Sequence, residues 1–393
     1  MTIDWHYPRH DLTKRVMDAF DQSVSDTLTL FAPRRMGKTE FVRYDLIPEA
    51  AKRGYVPVYV SFWENRDDPA LSLLLAIKSA LAEGNWWRRA TNRLTGAQLS
   101  IKGNASGELE ASLSVTESKP TSPDSATLAD LRKHITELLR KNDRVLLCLD
   151  EAQHLATSSA FESLVFFLRT ILDENRKQIR VMYTGSSRDG LRKLFSKRKA
   201  ALFQSSSQID LPLLGSGFIE HMKSCYQQAS GREFTYTEGQ RAFSLLHHVP
   251  REFRSVIEKM ILSGATDILN EAAHAYDNQV EDSSYPVLWQ NLKAIDHALL
   301  IWIAYGHASL YQEACKAYLA NHLGVCSVET HTIQNAINRL RGEHLSLIAH
   351  GAYEFEDARF RDWIIANTSA SSSRLPDEQL CIEHQQSDRR PSE

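Results

Sequence analysis

The residues best able to do chemistry fall in two short clusters. The first is Ala32-Pro33-Arg34-Arg35-Met36-Gly37-Lys38-Thr39, followed by Glu40. It fits the pattern G-x-x-x-x-G-K-[ST], with Ala32 in place of the first glycine. In such a loop, backbone N–H groups and the start of the next helix cradle phosphate oxygens. Gly37 gives the backbone room to wrap a phosphate, Lys38 can reach β- and γ-phosphates, and the Thr39 hydroxyl can ligate Mg²⁺. The second cluster is Asp150-Glu151, directly after the apolar run Arg144–Leu149. A carboxylate at the end of a buried strand suits Mg²⁺, which assigns Asp150 to metal, and Glu151 can act as general base on an attacking water. Taken alone, the pair also reads as a helix N-cap with acidic first-turn residues; the loop upstream favours phosphate chemistry.

Further residues surround these two clusters. Tyr183-Thr184-Gly185-Ser186-Ser187-Arg188 ends another apolar run, and either Thr184 or Ser186 could touch a γ-phosphate or the attacking water. Arg188, Arg192 and the run Lys197-Arg198-Lys199 could present positive charge to a neighbouring subunit, although a solvated basic face explains most of them. His247-His248-Val249-Pro250-Arg251-Glu252-Phe253-Arg254 opens a helix with Pro250 in its first turn. From there Arg251 or Arg254 could fold over a nucleotide.

The elements that must position these groups are legible as apolar patterns. Thr27–Phe31, Val56–Phe62, Arg144–Leu149, Ile179–Thr184 and Gln208–Leu211 read as strands, the central ones apolar on both faces. Helical patterns lie between them: Leu12–Phe20, a helix from Lys38 towards Ile47, Ala70–Ala82, Leu128–Arg140 and Ala160–Leu172. Strand alternating with helix implies a doubly wound parallel α/β core over residues 1–213. Within it, the Ser/Thr/Gly-rich stretch 94–126 reads as an inserted β-hairpin and a flexible run with Pro120 and Pro123. A helical lid is expected over 214–280, a winged helix over 281–367 and a polar disordered tail over 368–393.

These pieces resemble the AAA+ P-loop ATPases of the archaeal-ATPase and STAND-like kind, with the domain order of origin-recognition-type initiators. The resemblance rests on Pro33–Thr39, Leu149-Asp150-Glu151-Ala152-Gln153, Thr184-Gly185-Ser186-Ser187 with Leu194-Phe195, and Pro250-Arg251. It implies ATP and Mg²⁺ as ligands, bound between core and lid, with hydrolysis driving switching or assembly. By position, Lys38 and Thr39 contact phosphate and metal, and Asp150 and Glu151 are the metal and water pair. Thr184 or Ser186 is the first sensor and Arg251 a second. The chain departs from the family in Ala32, and in Phe203-Gln204-Ser205 where relatives often carry Gly-Arg.

At the C-terminal module, Ile333, Ile337 and Leu340 fall on one helical face, while Thr332, Gln334, Asn335, Asn338 and Arg341 lie largely off it. Leu345–His350 and Ala352–Glu356 alternate around Gly351, as in the two strands of a wing. Such a helix could enter a DNA major groove. Yet residues 285–366 carry six Lys/Arg against eight Asp/Glu, which is poor for phosphate contacts.

Composition narrows the rest. The 393 residues are 42% hydrophobic and 24% charged, with a net charge of −3, so the chain is not basic throughout. Its five cysteines form no C-x-x-C pair, which speaks against a zinc ribbon or a disulfide framework and for a reducing cytoplasm. No signal-peptide core or membrane span is legible. The expectation is an ATP-binding and ATP-hydrolysing switch acting on DNA or a DNA-bound complex, with nucleotide-dependent homo-oligomers. The alternative is a signalling or scaffold ATPase whose winged helix binds protein. A phosphotransferase is a third reading, with no acceptor site in view.

Overall fold

The computed structural model describes residues 3–82, 120–195, 201–202, 205–281, 285–349 and 351–368. Most of the 94–126 hairpin expectation, Lys197-Arg198-Lys199, Phe203-Gln204 and the tail from 369 lie outside these residues. Chain contacts divide the molecule into two units. The first takes Met1–Ser186, Gly190–Ser244 and His248–Ile268, and the second Ser187–Asp189, Leu245–His247 and Leu269–Glu393.

The first unit is built on five parallel strands in the order β2-β3-β4-β1-β5. They are β1 (Thr27–Phe31), β2 (Val56–Ser61), β3 (Val145–Asp150), β4 (Ile179–Gly185) and β5 (Ser207–Asp210). β1, β3 and β4 are buried at every residue, because helices cover both faces of the sheet. On one face, α1 (His10–Asp21) and α2 (residues 38–52) bury Phe20, Phe41 and Leu46 against Leu30, Cys148 and Met182. On the other, α3 (Pro69–Ala82), α4 (Ser125–Lys141) and α5 (Glu162–Glu174) bury Leu73, Ile135 and Leu168 against Leu147, Leu149 and Tyr183. Edge strand β5 is largely exposed.

Two local features differ from the sequence pattern. α4 starts at Ser125, inside the stretch read as insertion, because the Asp124 carboxylate accepts the Thr127 N–H at 2.7 Å and caps the helix there. α2 continues past Ile47 to Lys52, and its stretch Phe41–Leu46 is wound as a π-helix. Pro48 comes two residues after this stretch; it has no N–H for the ladder, and wider winding before it accommodates that loss.

After β4 comes α6 (Arg188–Phe195), and after β5 the helices α7 (Ser216–Ser230), α8 (Tyr236–Leu245) and α9 (Pro250–Ser263). Phe218, Phe243 and Phe253 pack ring against ring among the last three, with centroids 5.2–5.9 Å apart.

The second unit contains α10 (Ile268–Glu281), α11 (Tyr285–Gln290), α12 (Ala294–Ala304), α13 (Glu313–Leu323) and α14 (Thr330–Leu340). The antiparallel pair β6 (Leu345–Ala349) and β7 (Ala352–Phe355) follows, then α15 (Ala358–Asn367). α12 is buried from Ala298 to Ala304 and forms the centre of this unit's core, with Leu319, Ile333, Ile337 and Phe360 around it. From α12 to β7 the succession is helix–helix–helix–hairpin. Among the described residues, no helix is long and apolar enough to cross a membrane.

Candidate functional site

The site forms where β1, β3 and β4 end side by side. Register places Leu30 beside Thr184 and Leu149 beside Tyr183, so the three strands deliver their C-terminal residues to one crevice. The loop after β1 turns through Gly37 at φ +89°, a left-handed conformation that favours glycine. Arg35 is also left-handed, at φ +66°.

Lys38 is 5% exposed and folds back on the loop, its Nζ donating to Ala32 O at 2.7 Å and Pro33 O at 2.9 Å. Burial pulls its pKa below the ordinary lysine value, while the Glu151 and Asp150 charges partly restore it. Thr39 Oγ1 donates to Asp150 Oδ2 at 2.8 Å, joining the two sequence clusters. Asp150 is almost fully buried and accepts three further hydrogen bonds: from Thr184 Oγ1, from the Tyr59 phenol at 2.8 Å and from the Glu151 N–H at 3.1 Å.

Glu151 is held at φ +56°. Its Oε2 accepts from Ser186 Oγ at 2.9 Å and from Gln153 Nε2, and the same amide donates to Ser186 Oγ at 3.1 Å. Gln153 Oε1 is buried with no donor. The crowding explains Gly185: a Cβ there would lie 2.6 Å from Gln153 Oε1 and 2.8 Å from Leu191.

The remaining loop residues point elsewhere. Arg34 stacks on Trp63 at 4.8 Å, and Arg35 forms an ion pair with the buried Glu252 of α9. Met36 is buried, and its carbonyl accepts from Arg9 Nη2 at 3.2 Å. Arg9 also donates to Pro212 O at 2.5 Å, and its burial lowers its pKa. Glu40 is exposed. Arg251 is exposed on the first turn of α9, beside Glu252, and makes no contact with the carboxylates.

Thus Lys38, Thr39, Asp150, Glu151, Thr184 and Ser186 converge, whereas Arg34 lies over Trp63, Arg35 pairs with Glu252 and Arg251 is exposed. Sequence reasoning missed Tyr59, Gln153 and Arg9. Gln153 carried a usable signal, since it lies two residues beyond the acidic pair. Tyr59 reads as an ordinary strand aromatic.

Residues 25–195 match the model of a family described as AAA domain. The core is an AAA domain. Among solved structures, the Walker-type ATPase PABY2304 of Pyrococcus abyssi is 12% identical with a TM-score of 0.59, covering 93% of this chain and 99% of that one. The Aeropyrum pernix ORC2 protein, in ADPNP–ADP complexes, is 13% identical with a TM-score of 0.53, covering 94% and 97%. Its ADP form is also 13% identical and gives 0.52, covering 93% and 96%. At such identities the likeness is one of fold, and it extends beyond the AAA domain over nearly the whole chain. No curated protein matches the sequence.

The residues of this AAA domain fit a Mg²⁺-nucleotide. A buried ammonium bonded to loop carbonyls retains charge that a phosphate would neutralise. Among the described residues no cluster of three His, Cys, Asp or Glu could cage a metal. Mg²⁺ needs none, because one carboxylate, a hydroxyl, phosphate oxygens and water are its usual set.

Proposed function

We propose that the chain is an ATP-binding and ATP-hydrolysing switch. The observation that carries this reading is the Thr39–Asp150 hydrogen bond across the crevice, with Lys38 buried behind the loop and Glu151 next in line. Backbone amides from Met36 to Thr39 and the Lys38 ammonium bind the phosphates. Thr39 and Asp150 hold Mg²⁺, which when bound neutralises charge building on the β- and γ-phosphates. Two donors hold Glu151 Oε2, leaving Oε1 to accept the proton of the attacking water. That water's oxygen bonds to the γ-phosphorus as the β–γ bridging bond breaks, releasing ADP and phosphate. Thr184 and Ser186 each orient one of the two carboxylates in this reading, so both are sensor candidates. Arg251 is a lid residue that reaches the nucleotide only if α9 moves.

The second unit is the acting end, engaging DNA or a DNA-bound complex through α14 as a winged helix. The exposed Gln334, Asn335 and Asn338 favour this. A protein-binding role is the second reading, and a specific observation supports it. Arg339 pairs with the buried Asp296 at 2.6 Å and Arg341 with the buried Asp189 at 2.7 Å, so neither side chain is free for phosphates. Free Cys148, Cys225, Cys315 and Cys326 suit a reducing cytoplasm.

Calorimetry with ATP and Mg²⁺ tests the core reading. Binding should vanish in Lys38→Ala; Glu151→Gln should bind normally but lose turnover by 100-fold or more, roughly the worth of a general base. Light scattering with ADP, with an ATP analogue, and with ATP plus duplex DNA separates the readings of the second unit. Assembly that needs DNA supports the first, and nucleotide-dependent assembly without DNA affinity supports the second.

A further inference from the structure

Asp150 carries more donors than a metal-holding carboxylate can keep. Oδ1 accepts from Thr184 and the Glu151 N–H, and Oδ2 from Thr39 and Tyr59. An ionised carboxylate offers about four lone-pair sites, so all of them are taken. A cation reaching Asp150, directly or through its hydration shell, requires one of the four donors to leave.

Three of them are costly to displace. The Glu151 N–H is fixed by the end of β3. Thr184 is 1% exposed, and its hydroxyl would be stranded in the interior. Thr39 faces the same cation and stays with it. Tyr59 differs in each respect. It comes from neighbouring strand β2, is only part-buried, and has its ring against the Arg43 guanidinium at 4.4 Å, on the flank of α2. Its hydroxyl donates to Oδ2 at 2.8 Å, the same oxygen that accepts from Thr39. Rotation of its side chain can carry the hydroxyl towards water.

We propose that Tyr59 is a placeholder on Asp150, donating to Oδ2 until a nucleotide-bound divalent cation arrives, and then giving up that position. This rests on the Mg²⁺-ATP reading and deepens it: the affinity of the site for metal is set partly by a competing phenol. It predicts a sign opposite to that of a supporting role. Removing the hydroxyl should make metal bind more tightly, because a hydrogen bond formed only without metal is lost.

The test uses the full chain and the non-hydrolysable analogue AMPPNP. Calorimetric titrations in EDTA and across a Mg²⁺ series compare wild type with Tyr59→Phe. In Tyr59→Phe the Mg²⁺ concentration giving half of the metal-dependent gain in affinity should fall by about three- to ten-fold, the worth of one hydrogen bond. Affinity in EDTA should stay unchanged. A ¹⁹F resonance from 3-fluorotyrosine at position 59 should shift when Mg²⁺ joins AMPPNP and stay put when AMPPNP binds in EDTA. An unmoved or raised Mg²⁺ midpoint, with normal AMPPNP binding, overturns the placeholder alone. A wild-type chain that takes up no AMPPNP in either condition overturns the ATP reading, and the placeholder falls with it.

Discussion

Glycine at position 185 is required by its neighbours. Any β-carbon there collides with Gln153 Oε1 and with the Leu191 branch, both inside 3 Å. Gly185→Ala should therefore cost about 1–3 kcal/mol of stability, measured by urea unfolding, since overpacking a filled interior strains its neighbours. Because the displaced group is the amide that steadies Glu151, turnover should fall more than ATP affinity does. At this scale the sequence revealed those groups whose spacing the chemistry itself fixes: Lys38 and Thr39 on one loop, Asp150 and Glu151 on one strand end. Tyr59 stayed hidden because its role depends on a pairing between strands distant in the chain. Tyr59 meets Asp150 only once β2 lies beside β3 in a particular register.

Strands and helices were legible wherever burial on both faces left unbroken apolar runs, as in Thr27–Phe31 and Val145–Asp150. The π-wound stretch of α2 was not, because apolar periodicity does not record which carbonyl each N–H selects. Capping by single side chains was equally hard to see. Asp357, which caps α15, accepts from the Arg359 N–H at 3.0 Å, from Arg359 Nε at 3.0 Å and from the Tyr285 phenol at 2.6 Å. Burial raises its pKa, but these donors outweigh burial and leave it below the ordinary value of 3.8. The stabilisation is thus present above the unfolded-state pKa and is lost as pH falls through the lower, folded one. Asp357→Ala should destabilise the second unit by about 1–2 kcal/mol at neutral pH, as loss of an N-cap does. The deficit should shrink as the solution is acidified below pH ~4, where the wild type protonates too. Circular-dichroism melts across that range check both statements.

Of the two units, the first holds all the residues that converge at the site and reaches no further along the chain than Ile268. Residues 1–268 expressed alone should still bind ATP with Mg²⁺. A piece ending at residue 175 should not, although it contains both acidic groups and the entire loop, because β4 and β5 would be missing. Equilibrium dialysis with labelled ATP distinguishes the two fragments. Sheet order was beyond reading from one chain, since β1 could pair with any parallel neighbour of suitable length.

That order also bears on biosynthesis. Thr27–Phe31 leaves the ribosome well before both of its partners, Ile179–Gly185 and Ser207–Asp210, are translated. Until then its sticky apolar ribbon has nothing to zip onto, and long-range parallel pairing is intrinsically slow. The nascent polypeptide must therefore be sheltered, by chaperones or by its own collapsed helices, until those partners have been made. A nucleotide binding in the crevice can stabilise the fold only after that late closure.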